Sequence, residues 1–178
     1  MNKVQESDSI LIAPQVAKVD RDSLIIDDFK AMFLEECKKW PVNFYIDTLD
    51  RRQPWFDNLN LSGHKDLKGF RYLLFVDKTI NQMSVAIAAF RFSDVEKAQS
   101  VIDIHCKEFH NAMKKGEESY FYEVVYAKMP YNAIRIDSTI FEVSATNSVG
   151  HIMRNTVDKF IKKYAVIQDN IIPCERNS

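Results

Sequence analysis

The feature that most constrains the fold is an apolar run in the middle of the chain, from Met83 to Phe92. Residues 85–90 read Val-Ala-Ile-Ala-Ala-Phe, so a strand formed there is apolar on both faces. A strand of this kind is buried on both faces, and we therefore expect it at the centre of a sheet. A second strand is predicted over residues 70–76, and the short turn between the two indicates a hairpin.

Three amphipathic helices are predicted around this hairpin. In each of them apolar residues recur at helical spacing and form one stripe. The stripe has the width expected of a helix that faces a core. A Ser93–Glu96 capping box marks the start of the second helix. The expected spans are residues 22–39, 93–115 and 148–164.

Alternating apolar and polar residues predict three more strands, over residues 42–46, 120–128 and 134–143, with a turn at 130–132. The element order is then α-β-β-β-α-β-β-α, and the strands follow one another as antiparallel hairpins. We therefore expect one α+β domain over residues 22–164, with a mostly antiparallel five-stranded sheet and helices packed on one face. Residues 1–21 are expected to form an N-terminal arm whose order is left open, and residues 165–178 a C-terminal tail.

Composition excludes several classes of protein. Only 4 of 178 residues are Gly, too few for a glycine-rich phosphate cradle. The net charge of −1, without a basic stripe, argues against a general nucleic-acid binder. No apolar run approaches the roughly 18 residues of a membrane span. The expectation is a cytoplasmic protein with a protein partner, no membrane association and no nucleic acid.

The three cysteines, Cys37, Cys106 and Cys174, are odd in number and far apart in the chain. That distribution is typical of free thiols in a reducing compartment and does not suggest a disulfide framework. It agrees with the cytoplasmic location expected from the rest of the sequence.

The first candidate site lies in residues 48–68, which lack a clear period and are long for a loop in a compact domain. Arginine and tryptophan are over-represented among binding hot spots, and this segment combines them with a second aromatic and a carboxylate. The alternative is that the two aromatics fold back as a plug over the core. The predicted partner-binding residues here are Arg51, Arg52, Trp55, Phe56 and Asp57.

The second candidate is an aromatic face on the predicted strand 120–128. Tyr120, Tyr122 and Tyr126 share one face at period two, and such platforms bind peptides or unpaired bases. Acidic neighbours at Glu118 and Glu123 disfavour bases, so a protein partner is expected. The alternative is that this face stacks against the helices.

The third candidate lies on the middle helix, where Asp103, Cys106 and His110 share a face and His105 is adjacent. These side chains are zinc-ligand types, and a cysteine beside a histidine is the pairing of an activated thiol nucleophile. The structural alternative is that Cys106 packs as a small hydrophobe within the apolar stripe. We favour that alternative and expect no metal, no cofactor and no catalytic residue.

The remaining candidates are weaker. The last helix carries a basic side that either is solvated or meets an acidic partner, formed by His151, Arg154, Lys159, Lys162 and Lys163. Acid–base candidates Glu123, Asp137 and Glu142 lie on predicted strands, but nothing in the sequence brings two of them together.

The element order over residues 22–164 resembles that of the small chaperones of type III secretion effectors. The resemblance is one of topology, and it implies a non-catalytic, dimeric protein that holds an extended segment of a partner. We therefore expect a protein-binding module, chaperone-like or inhibitor- or immunity-like, with a homodimer left open. The alternative is a small hydrolase or nuclease, metal-dependent or not, that uses His105, His110 and Asp103.

Overall fold

The computed structural model describes residues 20–47, 59–79, 82–114 and 131–172. In these ranges the chain forms the helices α1 Arg21–Cys37, α2 Val95–Lys114 and α3 Gly150–Lys163. The strands are β1 Phe44–Asp47, β2 Leu67–Asp77, β3 Gln82–Phe92, β4 Tyr131–Ile136, β5 Thr139–Ala145 and β6 Ile171–Ile172. The strand predicted over 120–128 lies outside the described residues.

All six of these strands belong to one sheet, in the order β1-β2-β3-β5-β4-β6, and every neighbouring pair is antiparallel. The predicted α+β class and antiparallel sheet of a single domain are therefore confirmed. The apolar strand β3 lies between β2 and β5, as its two apolar faces indicate. The structure describes six strands where five were expected for the whole chain. The span predicted as one strand over 134–143 is divided into β4 and β5 by a turn, and Ile171 and Ile172 add β6 by pairing with β4.

The prediction that the helices pack on one face of the sheet is wrong. Side chains of a strand alternate between the two faces, and along β3 Ile87 and Ala89 pack in the core beneath α1 and α3. Ala88 and Phe90 point the other way and pack beneath α2. The physical reason is the sequence of β3 itself, since a central strand that is apolar on both faces requires cover on both.

The larger core lies between the sheet and the α1–α3 pair, and phenylalanine rings fill it. Phe29 of α1 meets Phe160 of α3 edge-on, with the ring centroids 5.6 Å apart. Phe33 of α1 packs on Phe75 of β2 at 4.4 Å. Edge-to-face and tilted contacts of this kind are favourable because of the ring quadrupole. The two helices are thereby fixed to each other and to the sheet.

The strand and turn predicted between residues 130 and 143 are displaced. The turn is at Asp137 and Ser138, and the segment predicted as a turn begins β4, where Tyr131 is buried. Asp137 adopts a left-handed backbone conformation with φ of 52°. Aspartate tolerates that region better than most residues, which lets a tight hairpin form without glycine. The Pro-Tyr-Asn sequence at 130–132 is a stronger turn signal than Asp137 and Ser138. The turn was therefore predicted at the wrong position.

The ends of two helices also differ from expectation. α1 ends at Cys37, and Trp40 lies beyond it, 43% exposed, with its ring 4.3 Å from that of His151. At the start of α2 the carboxylate of Asp94 accepts the backbone N–H of Lys97 at 2.8 Å, so Asp94 performs the capping predicted for Ser93. Within the described ranges, no helix combines the length and the apolar character needed to cross a membrane.

Candidate functional site

A cavity of about 410 Å³ opens beside the first turn of α1, between β3 and the β4–β5 turn. Charged side chains from three elements line it, among them Asp20, Asp22 and Arg91, together with the hydroxyl of Thr139. Concave sites with a few convergent polar groups are where small ligands usually bind. This cavity is therefore the first place in the described structure to examine for a function.

The charged groups of the cavity are bonded to one another. Arg91 donates from Nε to Asp22 at 2.6 Å and also bonds Asp20, which accepts Arg71 Nε at 2.7 Å. Asp22 is 6% exposed, and its second oxygen accepts the Thr139 hydroxyl at 3.0 Å. These contacts join the start of α1 to β2, β3 and β5. The network thus has a complete structural role, because it fixes the entry of α1 onto the sheet.

Electrostatics in the cavity favour the paired, charged state. Burial raises the pKa of Asp20, but the hydrogen bond from Arg91 and the charges of Arg91 and Arg71 outweigh it and lower the pKa overall. Burial lowers the pKa of Arg91, and the bonds to Asp22 and Asp20 reverse that and raise it. The cavity therefore presents carboxylates and guanidinium groups that are already neutralised, which does not favour proton transfer.

Three of the residues predicted on the middle helix have separate partners. Asp103 accepts a hydrogen bond from Gln99 at 2.8 Å. His105 lies 3.5 Å from Glu108, and burial lowers the pKa of its imidazole. Cys106 takes part in a disulfide bond, whereas Cys37 is a buried free thiol. The prediction of three free thiols is thus wrong at Cys106, and its sulfur is not available as a metal ligand or nucleophile.

Asp103 belongs to a hydrogen-bond network centred on Arg135 of β4. Arg135 donates from Nε to Gln99 Oε1 at 2.6 Å and from a terminal nitrogen to Asn170 Oδ1 at 2.6 Å. Burial lowers the pKa of Arg135, and the nearby charge of Asp103 opposes that effect. The network joins α2, β4 and the turn before β6, so its role is to hold the C-terminal strand in place.

Replacing Arg135 with Met is expected to lower the free energy of unfolding by about 1–2 kcal/mol, because Gln99 and Asn170 lose a charged donor. Urea denaturation followed by circular dichroism measures the change. Arg154, exposed on α3, provides the matched control, and Arg154→Met should leave stability nearly unchanged. Equal stability of the two variants would show that the Arg135 network does not support β6.

The basic side of α3 meets acidic residues of α1. Lys163 forms an ion pair with Asp28 at 2.7 Å, and Lys159 binds Glu36, which is 1% exposed. Tyr164 also bonds Asp28, and burial together with this bond raises the pKa of its phenol. The two lysines lie four residues apart on α3, and the acids that they bind lie eight residues apart on α1. These pairs were not predicted from the sequence. Two of the cations considered for an outside partner are therefore occupied within the fold.

The two acid–base candidates that the structure describes have separate partners. Glu142 is 2% exposed in the middle of β5, on the face covered by α2, where its carboxylate accepts the Leu59 N–H at 3.1 Å. Asp137 lies in the hairpin turn and is ion-paired with Arg21. Glu123 lies outside the described residues. In the described ranges, moreover, no group of three or more His, Cys, Asp or Glu side chains is placed to hold a metal ion.

The predicted partner-binding residues lie outside the part of the chain that the structure describes, and they stay predictions: Arg51, Arg52, Trp55, Phe56, Asp57, Tyr120, Tyr122 and Tyr126. The structure does describe β1, the strand that precedes the candidates of the 48–68 segment. Arg51, the first of these candidates, comes four residues after the end of β1. Its geometry is therefore relevant to that group.

β1 is an edge strand. Among the described residues it pairs with β2 alone, and the carbonyl of Asn43 just before it accepts the Lys78 N–H at 2.9 Å. Hydrogen bonds alternate along an antiparallel pair, so the backbone groups of Phe44 and Ile46 point away from β2. Tyr45 between them is 38% exposed. In the described part of the chain, the sheet thus ends at a strand whose outward backbone groups point away from its one neighbour.

Comparison of the chain with family models, with curated proteins and with solved structures finds no match.

Proposed function

We propose that this chain is a non-catalytic protein-binding module that holds or occludes a protein partner along β1 and the segment after it. The observation that carries the proposal is the position of β1 at the edge of the sheet, with outward-pointing backbone groups. Such an edge is a template for an extended segment of another chain, which gains main-chain hydrogen bonds by pairing with it.

The residues after β1 supply the chemistry of specific recognition. Trp55 and Phe56 are large enough to act as apolar anchors, while Arg51 and Arg52 offer charge-assisted hydrogen bonds to carboxylates of the partner. Asp57 is part of the same proposed surface. The partner is therefore a protein with an extended segment that carries acidic side chains.

The tyrosines of the 120–128 segment form a second contact surface in this proposal. Tyr120, Tyr122 and Tyr126 share one face of the predicted strand at period two, and tyrosine provides a large rigid contact area with one polar end. A homodimer and a chaperone-like or inhibitor- or immunity-like role are both compatible with an edge that pairs with another strand. We also propose that the protein is cytoplasmic. The argument from the geometry of β1 does not depend on this location.

The hydrolase or nuclease alternative has less support. Asp103 is bonded to Gln99 within a network that secures β6, and the Cys106 sulfur is in a disulfide. His105 is half-buried beside Glu108. These contacts give Asp103, His105 and Cys106 structural roles, whereas β1 pairs with β2 alone among the residues that the structure describes.

The test compares what the full chain retains from a lysate of its own source with what two variants retain. Arg52→Ala/Trp55→Ala removes an anchor and a guanidinium, and we expect at least a tenfold loss of a stoichiometric partner, which is typical of hot-spot residues. Lys65→Ala, at an exposed lysine in a turn, is the control and should retain the partner fully. Equal retention by both variants, with unchanged thermal stability, would refute the proposed surface.

A separate variant tests the edge itself. Tyr45→Lys places a charge on β1, and natural proteins use lysine in this way to prevent strand addition. We expect it to weaken retention of the same partner, whereas Leu24→Lys at an exposed position of α1 should not. If Tyr45→Lys binds like the unmodified chain, the partner does not add a strand at β1.

A further inference from the structure

The cavity beside the first turn of α1 has a buried end and an exposed end. Ile25, Ile136 and Thr139 are each less than one-tenth exposed and form the buried end. Arg21 and Asp137 also line the cavity, and their side chains are 67% and 54% exposed. They form an ion pair, which joins α1 to the β4–β5 turn at the exposed end.

We propose that this cavity binds a small zwitterion, a free amino acid with an aliphatic side chain, between Arg21 and Asp137. The carboxylate of the ligand bonds Arg21, its ammonium group bonds Asp137, and its side chain lies against Ile25 and Ile136. The cavity is remote from β1, which pairs with residues 74–77 at the far end of β2. The proposal is therefore independent of the proposed function.

The ligand replaces an ion pair that contributes little to stability. Exposed ion pairs are weak because water screens their charges and because two long side chains must be held in one geometry. Arg21 bonds Asp137 through one terminal nitrogen and one carboxylate oxygen, so other polar atoms of both side chains have no partner among the described residues. A zwitterion gives each side chain an opposite charge, and both charges stay paired in the complex.

The charge balance of the cavity favours a ligand without net charge. Arg71 lies beside the cavity and binds its carboxylate Asp20 at 2.7 Å. Three carboxylates and three guanidinium groups are thus in contact there, those of Asp20, Asp22, Asp137, Arg21, Arg71 and Arg91. Their charges cancel, so the site as a whole attracts neither anions nor cations, whereas a zwitterion can use charges of both signs.

The inner wall of the cavity is held in place before any ligand binds. Asp22 is fixed by Arg91 at 2.6 Å and by the Thr139 hydroxyl at 3.0 Å. The hydroxyl of Ser138 lines the cavity without a hydrogen-bond partner in the described part of the chain, and it is available to the ligand. The volume of about 410 Å³ is at the lower end of the range of roughly 300–1,000 Å³ for ligand pockets, which suits a molecule of this size.

Isothermal titration calorimetry of the full chain with L-leucine tests the proposal. We expect saturable binding of L-leucine and at least tenfold weaker binding of leucinamide, which lacks the carboxylate, and of isocaproate, which lacks the ammonium group. Each of these analogues loses one charge-assisted hydrogen bond, which accounts for a factor of this size. No saturable binding of L-leucine would overturn the proposal. Equal affinity for all three compounds would overturn recognition of a zwitterion.

Two variants test the position of the ligand. Asparagine tolerates the left-handed backbone of Asp137, with φ of 52°, so Asp137→Asn removes the charge and keeps the turn. We expect Asp137→Asn and Arg21→Gln each to weaken binding of L-leucine at least tenfold. Lys38→Gln, which breaks the exposed pair with Glu35 at the other end of α1, is the control and should keep the affinity. Unchanged affinity in both cavity variants would overturn this site.

Discussion

Replacing Phe160 with Ala is expected to lower the free energy of unfolding by about 3–5 kcal/mol. Phe160 is fully buried between α1, α3 and the sheet, and its ring lies 5.6 Å from Phe29, 6.1 Å from Phe141 and 4.9 Å from Tyr164. The substitution leaves a cavity that all of these elements line. Because a domain is usually stable by about 5–15 kcal/mol, the loss is a large part of the total.

Urea denaturation followed by far-ultraviolet circular dichroism measures this change. Phe160→Leu is the matched control, since it keeps most of the apolar volume and should lose less than half as much stability. Ile104→Ala, at an exposed position on α2, should have little effect. A loss below about 1 kcal/mol for Phe160→Ala would contradict the packing of α3 on the sheet.

The sequence predicted those parts of the fold that depend on local periodicity. The three helices, the hairpin of β2 and β3 and the central position of β3 follow from apolar stripes and runs. The two-sided cover of the sheet was also encoded in β3, but the prediction of helices on one face did not use it. The turn at Asp137 was missed because a left-handed aspartate leaves a weaker signal than the Pro-Tyr-Asn sequence that precedes it.

The candidate sites depend on contacts between distant residues, which periodicity does not report. Arg91 and Asp22 are 69 residues apart in the chain, yet they form the centre of the cavity network. Asp103 and Cys106 do share a helix face, but Asp103 is hydrogen-bonded to Gln99 of the same helix and Cys106 is in a disulfide bond. The shared helix face was therefore predictable from the spacing of these residues, whereas the disulfide bond of Cys106 was not.

Replacing Glu36 with Gln is expected to lower the free energy of unfolding at neutral pH by about 1.5–3 kcal/mol, the range for hydrogen bonds to charged groups. Glu36 is almost completely buried on α1, where its carboxylate binds Lys159 of α3 and Lys39 at 2.9 Å. The amide keeps the shape of the side chain but loses its charge. Glu35→Gln, at the exposed neighbour paired with Lys38, is the control and should change stability little.

The effect of Glu36→Gln is expected to depend on pH. The hydrogen bonds from Lys159 and Lys39 lower the pKa of Glu36 from 4.5 to about 2 in the folded protein. A carboxyl group whose pKa is lower in the folded state stabilises the fold above its unfolded pKa, and the contribution disappears as the pH falls through the folded pKa. The stability difference between the unmodified chain and Glu36→Gln should therefore be constant above about pH 5 and shrink between pH 4.5 and about 2. Urea denaturation of both proteins across this range measures it, and a difference that does not shrink in acid would show that the α1–α3 contact does not depend on the charge of Glu36.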